Sequence, residues 1–161
     1  MIFNREGKDN CLMADSSIIY RYIHGKKGQV TLVNPNSNKA HSYVFARPAD
    51  ETRFPENTIF VYVLHEGHRM YIGLLDGSGL RRTAASSFGE DTEAVKGARY
   101  VVNMANRQDL VDRRAMLLYH SGKCCVCGRK LTSAKAMRDG VGKKCLKKLE
   151  ESLSKVPWDG N

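Results

Sequence analysis

The sequence predicts an α+β fold: an antiparallel β-sheet meander of about five strands, packed by two helices and followed by a small cysteine-bearing module with a C-terminal helix. Three observations predict it. Between residues 16 and 83 the chain repeats short runs rich in β-branched and aromatic residues, with turn material between them. Beyond Asp91 the apolar spacing becomes helical. From His120 onward one histidine and three cysteines recur at the spacing of a metal site. The expected organisation is a flexible leader (1–15), an α+β domain (16–119), the cysteine module (120–156) and a short tail (157–161).

The strand-like runs are SIIYRYI, QVTLVN, HSYVFAR, TIFVYVLH and RMYIGLL. In TIFVYVLH both alternate sets are apolar, Ile59, Val61 and Val63 against Phe60, Tyr62 and Leu64, so a central strand covered on both faces is expected. Short links such as HGKKG, NPNSNK and HEGH favour antiparallel neighbours. HEGH itself reads as a hairpin loop, because it lacks the helical spacing of a zinc protease motif. DGSGLRRT reads as a turn; its Arg81 and Arg82 could touch phosphate, but no Gly-Lys-Ser/Thr triplet makes it a phosphate loop.

Helical spacing then links Ala94, Val95, Ala98, Val101, Val102 and Ala105, with Asp91 as N-cap and Glu93 in the first turn. A second helical stretch, DLVDRRAMLLYH, delivers the chain to His120. The last helix is expected from about Lys143 to Ser154, with Leu146, Leu149 and Leu153 as its apolar stripe and Pro157 beyond its end.

Composition narrows the function. The chain has 161 residues, enough for a core that needs no disulfide staples. No apolar run approaches the roughly 18 to 20 residues of a membrane helix, and the polar N-terminus does not read as a secretory signal. A cytoplasmic protein with reduced thiols and no membrane partner is expected. The formal net charge is +9, and residues 120–161 hold 10 Lys+Arg against 4 Asp+Glu. Such a basic concentration points to a polyanion.

The ligand candidates are His120, Cys124, Cys127 and Cys145. A Cys-x-x-Cys pair can fold around one ion, Gly128 can turn the backbone behind it, and Cys145 falls in the first turn of the last helix, where a thiolate is favoured. Knuckle first and helix-borne ligand last is like a treble-clef zinc finger, with His120 in place of a second helical ligand. A redox disulfide, an iron–sulfur cluster and unrelated buried thiols are the competing readings. One structural Zn²⁺ is preferred, since Cys3His is a closed structural set. A deaminase-type zinc site needs Glu two residues after the histidine, and Gly122 stands there. With no nucleophile–base pair and no carboxylate cluster, a non-enzymatic protein is expected. Cys11 and Cys125 read as bystanders.

HSGKCCVCGRKLTSAKAMRDGVGKKC resembles the C-terminal module of an uncharacterised family of small phage and plasmid-borne proteins, whose pattern runs H-x-G-x-C-x-x-C-G-R-x-L-T, then P-x-S, then G-I-G-P-x-C. The match lies at His120, Gly122, Cys124, Cys127, Gly128, Arg129, Leu131, Thr132, Gly140, Gly142 and Cys145. Ser133, Ala134 and Lys135 depart from the family's Pro and Ser, and Lys143 stands in place of its Pro. The resemblance implies a phage setting and a zinc module, and no established activity.

Nine basic residues, Lys123, Arg129, Lys130, Lys135, Arg138, Lys143, Lys144, Lys147 and Lys148, crowd into this module. Weakly sequence-specific DNA or RNA binding through them is the expected function, with Tyr119 and Trp158 as candidate stacking rings. The alternative is a phage-encoded inhibitor of a host defence protein, of anti-CRISPR or anti-restriction type, that binds a nucleic-acid-processing partner.

Overall fold

A computed structural model describes residues 11–13, 16–25, 27–49, 51–54, 57–77, 79–106 and 115–153. The chain is α+β, built on a six-stranded antiparallel sheet. Its elements run α1 (Ser16–His24), β1 (Gly28–Val33), β2 (Ala40–Ala46), a 3₁₀ turn (Glu51–Arg53), β3 (Ile59–His65), β4 (His68–Asp76), β5 (Gly79–Arg81), α2 (Glu93–Asn106), β6 (Leu117–His120), α3 (Ala134–Asp139) and α4 (Lys143–Leu153). The sheet order is β5-β4-β3-β2-β1-β6, so β1 to β5 form the meander and β6 returns to the far edge beside β1.

Four of the five expected strands are strands. SIIYRYI is instead the body of α1. Its β-branched content favours a strand, but Ile18, Ile19, Tyr22 and Ile23 lie at i, i+1, i+4 and i+5 and are all buried. That stripe packs on the sheet as a helix, and tertiary burial overrides propensity. Within DGSGLRRT, Gly79–Arg81 is not a turn but β5, which pairs with Leu74 to Asp76. At the end of DLVDRRAMLLYH, Leu117–His120 is β6, every residue buried, not helix; residues 107–114 lie outside the described residues. α2 starts at Glu93 with Thr92 as its cap, since Thr92 Oγ1 accepts from Val95 N at 3.4 Å and its carbonyl from Lys96 N at 3.1 Å. The expected Asp91 cap sits one residue too early. HEGH is a hairpin: Glu66 and Gly67 both take positive φ (50° and 79°) between the paired His65 and His68, as a two-residue turn of the favoured hand requires.

α1 and α2 pack on each other and on one face of the sheet. Val30, Leu32, Tyr43, Phe45, Ile59, Val61 and Val63 point into that layer and share the main core with both helices. Tyr43 Oη donates to the Ala94 carbonyl of α2 at 2.7 Å. The double cover expected for β3 is not found: Ile59, Val61 and Val63 are buried, whereas Phe60, Tyr62 and Leu64 are only half-buried. Residues assigned to the leader reach the interior, with Met13 at 1% exposure in the main core and Cys11 at 7% in a second cluster with Val33, Ala40, Leu117 and Tyr119. Among the described residues no helix is long and apolar enough to cross a membrane.

Candidate metal centre

β6 ends at His120, and the chain then turns through Gly122 at φ 76°. The next segment is a tight knuckle. Cys124 N donates to the Arg129 carbonyl at 2.8 Å, Gly128 N to the Cys124 carbonyl at 3.0 Å, and Leu131 N to the Gly122 carbonyl at 2.9 Å. Gly128 holds φ 78°, a conformation costly for a side-chain-bearing residue. Lys123 and Lys130 bridge across the knuckle as antiparallel partners.

Between knuckle and last helix lies α3, a helix not expected from the sequence. Ser133 caps it, its Oγ accepting from Ala136 N at 3.1 Å, and Gly140 ends it in the left-handed region at φ 71°. Cys125 N donates to the Gly140 carbonyl at 3.1 Å, which ties the end of α3 to the knuckle. α4 then starts at Lys143 and carries Cys145 in its first turn.

This path brings Cys124, Cys127 and Cys145 together, with their sulfur atoms all within 4.8 Å of one another. A tetrahedral ion with metal–sulfur bonds of about 2.3 Å sets its sulfurs roughly 3.8 Å apart, so a small inward adjustment closes the cluster on one ion. The three thiols could hold a metal ion. Their electrostatics favour it. Burial pushes the Cys124 thiol up, yet the backbone amides of Cys127, Gly142 and Val126, with the Cys127 side chain, pull it down to about 7. Cys145 is pushed up to about 11, by burial first and then by hydrogen bonds to Cys127 and Cys124 and their charge. Three thiolates so close repel one another, and a bound cation removes that conflict.

His120 is not brought to the thiols. Its Nδ1 accepts from Gly122 N at 3.0 Å, so Nε2 carries the proton and donates to the Met137 carbonyl at 2.7 Å. The ring stacks on Tyr22, centroids 5.1 Å apart and planes within 8°. Both nitrogens are therefore held by backbone, and burial lowers the pKa of the imidazole against that last hydrogen bond. Cys125 faces the main core at 0% exposure, where burial and the Cys124 charge raise its thiol to about 12.

α1 anchors the module. Tyr22 Oη donates to the Lys123 carbonyl at 2.7 Å, and Arg21 Nη1 to the Asp139 carbonyl at 3.1 Å. A Cβ on Gly140 would strike the Tyr22 ring, and one on Gly25 would strike the Cys125 carbonyl. Lys27 N donates to that same carbonyl at 2.9 Å. No motif in the sequence signals this second layer, because its partners lie about a hundred residues apart.

The nine basic residues of the module are all exposed. Lys143, Lys144, Lys147 and Lys148 fall within an arc of about 140° on α4 at 100° per residue. Cys145 and Leu146 lie outside that arc and pack against the core. Of the expected stacking rings, Tyr119 is 3% exposed and belongs to the second buried cluster, while Trp158 lies outside the described residues.

Residues 119–150 match the model of a family of unknown function, DUF6011. The match spans the end of β6, the knuckle, α3 and most of α4, and so contains all three clustered cysteines. No curated protein matches the chain, and no solved structure does.

Proposed function

We propose that the DUF6011-like segment is a structural zinc module that presents a fixed basic surface to nucleic acid, without catalysing a reaction. The observation that carries the reading is the exposure of all nine basic side chains around a thiol cluster that one ion would lock. Three thiolates are soft donors that suit zinc, and a fourth ligand other than His120 would close the structural site. Zinc with three thiolates keeps a net negative charge, which the amides of Cys127, Gly142 and Val126 moderate at Cys124. Acid–base groups are scarce beside the cluster: Asp139 is the one carboxylate between His120 and Glu150. The basic surface exceeds what one ion needs, and phosphate is the anion that rewards a row of lysines.

Metal analysis of the purified chain is expected to find one zinc per molecule, reduced by Cys127→Ser or Cys145→Ser and retained by His120→Gln. Binding to labelled DNA, read by fluorescence anisotropy, is expected to weaken steeply between 50 and 200 mM salt, by a factor of about a thousand if six or more phosphates are neutralised. Lys143→Glu with Lys144→Glu should weaken it further by about tenfold or more. Unchanged binding in the double variant would overturn the proposal. Recovery of one stoichiometric host protein from lysate, with no nucleic-acid binding at low salt, would transfer the function to the inhibitor reading.

A further inference from the structure

The aromatic rings that share an open surface lie far from the module, on the face of the sheet turned away from α1 and α2. There β3 presents Phe60, Tyr62 and Leu64, each half-buried. β4 sets Tyr71 opposite Tyr62 and Leu74 opposite Phe60. A bulge makes this possible: Ile72 has no partner between the Tyr62–Tyr71 and Val61–Gly73 pairs. Ile72 therefore stays in the core while Tyr71 and Leu74 both face outward.

Four rings follow one another across this face. Phe54 meets Phe60 edge-on at 5.0 Å, Phe60 meets Tyr71 at 6.0 Å, and Tyr71 meets Tyr62 at 5.8 Å. All four are half-buried, so each keeps part of a ring in solvent. The rim is cationic. The exposed Arg69 places its guanidinium carbon 5.7 Å from the Tyr62 centroid. The exposed Arg81 lies opposite Leu74 and pairs with Asp76 at 2.8 Å, so that side carries no net charge. Arg53, beside Phe54, is exposed as well.

A second small apolar core would be sealed from water. Half-buried rings flanked by cations suit flat aromatic ligands that carry phosphate. We propose that this face stacks the bases of single-stranded nucleic acid, with Arg69 and Arg53 toward the backbone phosphates. The inference deepens the nucleic-acid reading and rests on it, because it names the form of the polymer. Bases inside a duplex are already stacked and cannot lie on the rings, so a single strand is selected over duplex. Recognition is tolerant of sequence, since every base has a π-face. β6, which leads into the basic module, is three interstrand spacings from β3, roughly 14 Å.

The test uses the full chain, zinc-loaded, with a labelled oligothymidylate and a labelled duplex of equal length at fixed salt. The single strand is expected to bind at least tenfold more tightly than the duplex. Tyr62→Leu with Tyr71→Leu should weaken single-strand binding by about tenfold per ring and leave duplex binding unchanged. Tyr62→Phe, which keeps a ring, should restore most of the loss caused by Tyr62→Leu. Arg69→Gln, on an exposed side chain, covers the case in which the double variant fails to fold, and should weaken single-strand binding several-fold. Equal affinity for both forms, with a normal response to Lys143→Glu plus Lys144→Glu, overturns this inference and leaves the proposed function standing. Absence of binding to either form overturns both. A concentration-dependent dimer that the tyrosine variants abolish would assign the face to a second copy of the chain and overturn the inference too.

Discussion

His24 closes α1 with its ring 4.0 Å from that of Tyr20, and among the described residues its buried Nδ1 has no hydrogen-bond partner. Arg47 Nη2 donates to the His24 carbonyl at 3.1 Å. Burial, and then the Arg47 charge, lower the imidazole to about 4. The folded chain thus keeps this ring neutral down to about pH 4, while the unfolded chain protonates it near pH 6.5. Between those values the unfolded state binds the extra proton, so stability falls as pH falls through that window. The full loss is up to about 3 kcal/mol. Urea unfolding at pH 7 and pH 4.5 is expected to show His24→Gln losing about 2 kcal/mol less than the parent chain; equal losses in the two proteins would contradict this account. His120 shows the other side of residue-scale reading. Its distance in sequence from Cys124 suits a ligand, but spacing does not say where a ring turns. Gly122 N and the Met137 carbonyl capture both nitrogens, and Met137 belongs to a helix that the sequence reading did not contain.

α3 and the first turn of α4 have little apolar support. No side chain of α3 is buried, and at the start of α4 Cys145 and Leu146 are partly buried neighbours of the core. α4 also opens on Lys143 and Lys144 with no acidic residue in its first turn, an order that opposes the helix dipole. Cys124, whose thiol the Gly142 amide helps to pull down to about 7, offers negative charge at that end. Chelation by EDTA is therefore expected to release residues 134–148 first. Hydrogen exchange should show their amide protection falling by tenfold or more beyond any fall in the amides of β1 to β4. Uniform loss across the chain would show instead that the metal does not act locally. The elements also mark what the sequence disclosed. α2, α4 and four strands follow from apolar period and turn residues. α1 was hidden because Ile18, Ile19 and Ile23 favour strands by propensity, although their spacing is helical. β6 was hidden because Leu117 to His120 continue an apolar stretch whose strand character appears only on pairing with β1.

Across the whole molecule, the module and the sheet share one interior. Cys124, Cys125, Leu131 and Val141 belong to the same core as α1, α2 and the strands. Chelation should consequently lower the Tm of the entire domain by about 5 to 10 °C, at about 2 to 4 °C per kcal/mol for a chain of this size, as read by a probe on the sheet such as near-ultraviolet tyrosine dichroism. Gly28 lies at the same junction. A Cβ there would overlap the Tyr22 carbonyl, so Gly28→Ala is expected to cost about 3 kcal/mol or more in urea unfolding. The charge asymmetry was legible from composition alone. The ring-bearing face was not, because alternating apolar residues in β3 look the same whether or not a second layer covers them. The three thiols were legible as a set; their anchoring on Tyr22 and Arg21 needed the fold.

Both margins of the sheet are blunted. At one, β5 is three residues long. At the other, Leu12 bridges to Tyr119, and Met13 N donates to the Leu118 carbonyl at 2.8 Å, so part of the outer side of β6 is already occupied. On the outer side of β4, β5 pairs only Leu74 to Asp76 and Ser87 N donates to the Tyr71 carbonyl, so a foreign chain seeking to extend the sheet meets interrupted backbone at either end. The molecule is thereby protected against runaway strand-to-strand stacking in a crowded solution, and encounters with other molecules are steered to its broad flanks.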